Sequence, residues 1–205
     1  MYPEEQSKGI LKMKIRLALI FFIICFSALT AYPDECVEGD CVNGTGTMVF
    51  STGHKFTGGF KDGMRHGEGV LLMPGRRKIV GVWQDNEVVE GTYTYSDGST
   101  FTGRWKFRER SGQGTLAWLD GRTYTGEFKN DQRHGKGTMI YPDGRKYVGD
   151  FKFGERTGQG TMTYPDGRKY IGEFKDGERT GQGTLIMPDG KQRVGEFRNG
   201  EFVGK

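Results

Sequence analysis

The stretch YTGEFKNDQRHGKGTMIYPDGRK, residues 124–146, decides the fold. Side chains alternate across a β-strand. On that rule Tyr124, Gly126 and Phe128 share one face, and Thr125, Glu127 and Lys129 the other. Further along, Gly135, Gly137, Met139 and Tyr141 share a face opposite Lys136, Thr138 and Ile140. Pro142, Asp143 and Gly144 then make a turn: proline fixes φ, aspartate favours the bend and glycine accepts positive φ. The unit reads as an antiparallel hairpin with an aromatic face and a polar face.

The same phrase recurs in both directions. Tyr124, Tyr147 and Tyr170 stand 23 residues apart and open YTGEFKN, YVGDFKF and YIGEFKD. Phe101 opens FTGRWKF, Ile79 opens IVGVWQD and Phe56 opens FTGGFKD. A second phrase follows each, as in GEGVLLM, GQGTLAW, GKGTMIY, GQGTMTY and GQGTLIM, and PDGRK or PDGKQ closes the last three units. Six full units result: 56–78, 79–100, 101–123, 124–146, 147–169 and 170–192, with partial units at both ends of 44–205. Unit 79–100 is one residue short, and Asn86 and Val89 replace the usual glycines.

The pattern Y-x-G-x-F…G-x-G-x-x-x-Y-x-D-G resembles the membrane occupation and recognition nexus (MORN) repeat over residues 44–204. MORN arrays are known as scaffolding and dimerising modules, so the resemblance implies a protein-binding role. The family's name implies a second role at lipid surfaces. MORN repeats also occur as appendages of lipid kinases, but no kinase-like domain has room in this chain.

Composition agrees with a repeat fold. Of 35 glycines only Gly9 and Gly39 precede residue 44, so 33 fall in the last 162 residues, far above the usual ~7%. Aromatics at 13% argue against a disordered chain. Glycine inside a strand normally costs ~0.5–1 kcal/mol relative to alanine. Its recurrence on the aromatic face predicts rings lying over the missing side chains. No helical period follows residue 31, and a lone hairpin is marginal, so units must be stabilised by stacking. The expected fold is all-β: an elongated single-layer antiparallel hairpin ribbon, twisted into a trough with its aromatic face concave.

The first 31 residues read differently. LALIFFIICF, residues 17–26, follows Lys14 and Arg16 and precedes Ser27, Ala28, Thr30 and Ala31. That order matches a secretory signal peptide, with Met13 a candidate start. An uncleaved anchor over residues 15–31 is the alternative; the apolar run falls short of the ~20 residues of a membrane span. The body is then exported, whether periplasmic, cell-surface or secreted. Residues 32–43 read as a linker in which Cys36 and Cys41 form a disulfide clip, as an oxidising compartment allows.

Candidate chemistry is sparse. Net charge is +4, of which residues 1–31 supply +2, and the remaining 26 basic against 24 acidic residues speak against nucleic acid. His66 and His134 occupy equivalent positions three units apart, ~30 Å by strand spacing, and cannot share a metal. Every candidate catalytic group is repeated, whereas an enzyme needs one asymmetric pocket. No enzyme activity, cofactor, metal or small-molecule substrate is expected. The expected partner-binding residues are the rings of Trp83, Phe101, Trp105, Trp118, Tyr124, Phe128, Tyr147, Phe151, Tyr170 and Phe174, with unit 79–100 the most distinctive part. The basic turns Arg76, Arg77, Lys78, Arg145, Lys146, Arg168 and Lys169 are candidates for an anionic lipid surface. Residues 193–198, RVGEFR, are expected to form an open edge suited to a homodimer or a partner strand.

Overall fold

The computed structural model describes residues 33–204; the leader and anchor readings of residues 1–31 lie outside the described residues. Sixteen strands follow one another: β1 Glu35–Gly39, β2 Thr45–Val49, β3 Lys55–Lys61, β4 Met64–Met73, β5 Arg77–Gln84, β6 Glu87–Thr94, β7 Thr100–Lys106 and β8 Glu109–Ala117. The second half continues with β9 Thr123–Lys129, β10 Gln132–Ile140, β11 Lys146–Lys152, β12 Glu155–Thr163, β13 Lys169–Lys175, β14 Glu178–Ile186, β15 Gln192–Arg198 and β16 Glu201–Gly204. They form one antiparallel sheet in strict sequence order.

Two kinds of turn alternate. On one rim the hairpins close through two residues with positive φ, as at Asn130 (49°) and Asp131 (62°) or Asp176 (50°) and Gly177 (83°). This is the twist-matching turn of tight hairpins. On the other rim Tyr141 N–H donates to the Arg145 carbonyl and Gly144 N–H to that of Tyr141, the bend expected of Pro-Asp-Gly.

The register explains the glycines. One glycine from each of β1 to β15 stands in a single row: Gly126 opposes Gly137, which opposes Gly149, and so on from Gly39 to Gly195. A ring covers the glycine pair of every full unit except 79–100. A β-carbon on Gly137 or Gly160 would meet the ring of Tyr124 or Tyr147 at about 2.5 Å. Phe56 and Phe101 cover Gly69 and Gly114 in the same way. A bulge then shifts the register inside each hairpin, for example between His134 and Gly137, with Gly135 at φ 55°.

Two stretches differ from the sequence reading. The span read as a linker carries β1, which pairs with β2. Cys36 and Cys41 are bonded, and the Cys41 sulfur stands over Gly46 where other units place a ring. The expected free edge at 193–198 is half covered. Asn199 and Gly200 make another positive-φ turn, and β16 folds back onto Glu196–Arg198.

Candidate partner-binding surfaces

The aromatic side of the sheet is a closed core. Tyr124 packs edge-on against Phe128 (5.1 Å) and against Phe151 of the next hairpin (4.9 Å). The contact repeats from Tyr147 to Phe174 and from Tyr170 to Phe197. Such pairs contribute ~0.5–1.5 kcal/mol each beyond area burial. The tyrosine hydroxyls also find partners: Tyr147 Oη donates to the Asp150 carbonyl at 3.0 Å. Burial pushes Tyr124 and Tyr170 up to about 12.

An arginine closes every full unit except 79–100. Arg133 stacks over Tyr124 and Phe151 and donates through Nη2 to the Gly154 carbonyl, while Gly154 N–H donates back to the Arg133 carbonyl. Arg156 and Arg179 make the same contacts with the tips at Gly177 and Gly200, and Arg65 and Arg110 with those at Asn86 and Asp131. Burial lowers the Arg133 pKa, its cost offset by the stacking and the carbonyl bond.

These contacts overturn the reading of the rings as an open aromatic trough. Phe101, Tyr124, Phe128, Tyr147, Phe151, Tyr170, Phe174 and Trp83 are all buried core. Only Trp105 and Trp118 keep partial exposure. Cross-strand neighbours and the arginine lid cover one another, so a single-layer sheet still makes a dry side. Acids of the polar face are also engaged. Glu127, Asp150 and Glu173 accept the bulge N–H groups of Lys136, Gln159 and Gln182. Both the arginines and these carboxylates recur every 23 residues, a signal that sequence reasoning passed over.

The other face is open, and its floor is a second register row. From β2 to β15 it reads Thr47, Thr57, Val70, Val80, Thr92, Thr102, Thr115, Thr125, Thr138, Val148, Thr161, Ile171, Thr184 and Val194. Every member is β-branched. Thr115 and Thr125 share a hydroxyl hydrogen bond, as do Thr92 and Thr102. Val80, Val148, Ile171 and Val194 are 42–51% exposed. A shallow hollow of about 540 Å3 runs over Thr125, Thr138, Val148 and Thr161, so the hollow lies on the face opposite the rings.

The basic turn residues divide between the two faces. Arg145 and Arg168 pair at 2.7 Å with Asp143 and Asp166 of their own turns and stack on Tyr141 and Tyr164. Lys78, Lys146 and Lys169 lie in the row beside the β-branched ladder and have no ion pair among the described residues. Arg76 holds a positive φ of 64°, and Arg77 donates to the Pro74 carbonyl.

The aromatic side is interrupted once, in unit 79–100. Ile79 stands in the row that Tyr124 and Phe101 occupy elsewhere, and Val88 pairs with Trp83 where Arg133 pairs with Phe128. The nearest atoms to a side chain placed on Gly81 or Gly91 are backbone atoms, with no ring above them. The core divides there into one cluster ending at Trp83 and another beginning at Phe101. A cleft of about 340 Å3 fills the gap, walled by Trp83, Tyr93, Trp105, Arg65 and Arg108.

Comparison with known proteins agrees with this geometry. The MORN repeat matches residues 56–75, 80–100, 101–121, 124–144, 147–167, 170–192 and 194–205. This chain is a MORN-repeat protein. The MORN repeat is a repeat module without catalytic machinery, in keeping with a site-poor ribbon. Among solved structures, the SAS-4 (dCPAP) TCP domain of Drosophila melanogaster, in complex with a proline rich motif of Ana2, is similar in fold: TM-score 0.51 and 13% identity over 78% of this chain and 88% of that one. The TCP10 domain of Danio rerio CPAP is 19% identical over 80% of each chain, with a TM-score of 0.37.

Proposed function

We propose that this MORN-repeat protein is an interaction scaffold that holds a partner protein against its open β-branched face. The carrying observation is the unbroken Thr/Val/Ile row across fourteen strands, flanked by Lys78, Lys146 and Lys169. An exposed row of methyl groups on one open face suits an interaction site. Hydroxyls beside methyl groups offer adaptable hydrogen bonding at low entropic cost, because β-branched side chains are stiff. A partner with apolar side chains and acidic residues on one flank complements it. The peptide complex of the SAS-4 domain supports the idea that an open sheet of similar fold can hold a peptide. Export belongs to the same proposal: it rests on the leader pattern of residues 14–31 and on the Cys36–Cys41 bond.

Affinity capture from the native source, with wild type beside Val148→Lys and Ile171→Lys, tests the scaffold role. Both sites are exposed, so the fold is retained, and partners held by wild type are lost from the variants. An unchanged set of captured proteins refutes the open face as the binding surface. Retention on anionic vesicles that disappears when Lys146 and Lys169 become glutamine assigns the face to lipid instead. Sedimentation across a concentration range reads whether the partner is a second copy. The mass of the mature N-terminus reads the leader.

A further inference from the structure

Seven two-residue tips close the hairpins on one rim, and six carry glycine, asparagine or aspartate among their positive-φ residues. The seventh, Phe107 (51°) and Arg108 (66°), carries neither. A bulky residue with positive φ is a true outlier, costing ~1–3 kcal/mol, and such strain collects at functional sites. This tip forms the lip of the cleft left by Ile79 and Val88, with Arg108 in the wall. Like the tip at Asp62 and Gly63, where Val42 stands in that place, it receives no arginine from the preceding unit, because Val88 stands there.

The polar groups of the cleft are unbalanced. The Trp105 ring lines the cleft, and its enclosed Nε1–H has no acceptor among the described residues. Arg65 uses Nε and Nη2 on Asn86 and keeps further N–H groups. Among the described residues Arg108 pairs only with the Glu87 carboxylate, at 3.5 Å. Asn86 thus accepts from Arg65 and one oxygen of Glu87 faces Arg108, while further N–H groups of both arginines remain, so donors outnumber acceptors. A ligand that suits such walls offers carbonyls, brings few N–H groups, and has a flat apolar surface for Trp83, Tyr93 and Trp105.

We infer that this cleft binds a proline-rich extended segment of a partner protein. Proline has no N–H to leave stranded against donor-rich walls. A polyproline helix makes no internal hydrogen bonds, so its carbonyls are free to accept. Its rings pack on aromatic grooves, and its order before binding lowers the entropic cost. The site lies on the opposite side of the sheet from the β-branched row and is independent of the role proposed for that row.

Quenching of tryptophan fluorescence by an acetylated, amidated proline decamer tests the inference, with a Gly-Ser decamer as control. Wild type titrates to saturation with proline and not with Gly-Ser. Val88→Arg restores the side chain used by the other units and fills the cleft; it folds at least as stably and binds at least tenfold more weakly. Arg108→Gly relieves the strained tip, so thermal stability rises while affinity falls severalfold. Equal affinity for both decamers, or undiminished proline binding by Val88→Arg, overturns the proposal. Self-association abolished by Val88→Arg, with no proline binding, assigns the cleft to a second copy and overturns it too. Loss of open-face partners in Val148→Lys leaves these titrations unchanged, so the two readings fail separately.

Discussion

The ring of Tyr147 lies over Gly160 of the neighbouring strand, about 2.5 Å from where a β-carbon on that glycine would stand. Tyr147 belongs to β11 and Gly160 to β12, so the contact ties the two strands of one hairpin. It also places the Tyr147 hydroxyl at the Asp150 carbonyl, where the chain bulges.

Gly160→Ala forces the Tyr147 ring off its strand. Overpacking of this kind costs ~1–3 kcal/mol. At this chain size each kcal/mol lowers the melting temperature by ~2–4 °C. Gly190→Ala meets no neighbour within 4 Å and is strained only through its φ of 82°. Differential scanning calorimetry of the two variants separates crowding from backbone strain. Tyr147→Phe keeps the ring and loses only the hydroxyl bond, about 1 kcal/mol, in line with Phe56 and Phe101 at the equivalent places.

Arg156→Ala opens the joint between two units. The lost guanidinium bond to Gly177 contributes ~1.5–3 kcal/mol and the stacking on Tyr147 and Phe174 somewhat less. Arg156→Lys recovers little, because an ammonium neither stacks flat nor forks. Hydrogen exchange at Gly177 N–H, which donates to the Arg156 carbonyl, reports the local opening.

Stability has a defined pH window. The folded phenols of Tyr124 and Tyr170 sit near 12, above the ordinary 10, because burial disfavours the phenolate. A raised folded value means full stability below about pH 10 and loss as pH climbs towards 12. At the acid end Asp120, Asp143 and Asp166 are held below the ordinary carboxylate value by the N–H groups of Arg122, Arg145 and Arg168. Their contribution is present above about pH 4 and fades as pH falls through the lowered values. Circular dichroism melts across pH, with phenolate absorbance at the alkaline end, read both limits.

Reducing the Cys36–Cys41 bond releases the cap over Gly46. A loop this short stabilises by about 2 kcal/mol in the chain-entropy account. The loss is confined to β1 and β2, because each strand touches only its neighbours. Exchange at Gly39 and Thr47 therefore speeds up under reductant while exchange at Gly160 does not.

The hairpins, their strict order and the rings over glycine were legible because 23-residue recurrence and two-residue alternation are both written along the chain. What rises off the sheet was not. Arg133 reads as one more surface cation until the tip at Gly154 is seen beneath it, and that partner lies 21 residues away. Thr138 and Val148 read as a polar face in separate units; only the register lines them into one row. The irregular unit stood out in sequence, but the cleft depends on two absent side chains, at Ile79 and Val88, and absence shows only against neighbours in space.

The single-file glycine row makes the molecule modular. Apart from unit 79–100, each full unit is joined through the same covering ring, the same arginine and the same bulge, so a duplicated or deleted block of 23 residues among the regular units leaves the remaining joints intact. Length is thus free to vary by unequal copying of the coding sequence, and with it the number of docking positions, while the one irregular block keeps a fixed identity wherever the copying places it.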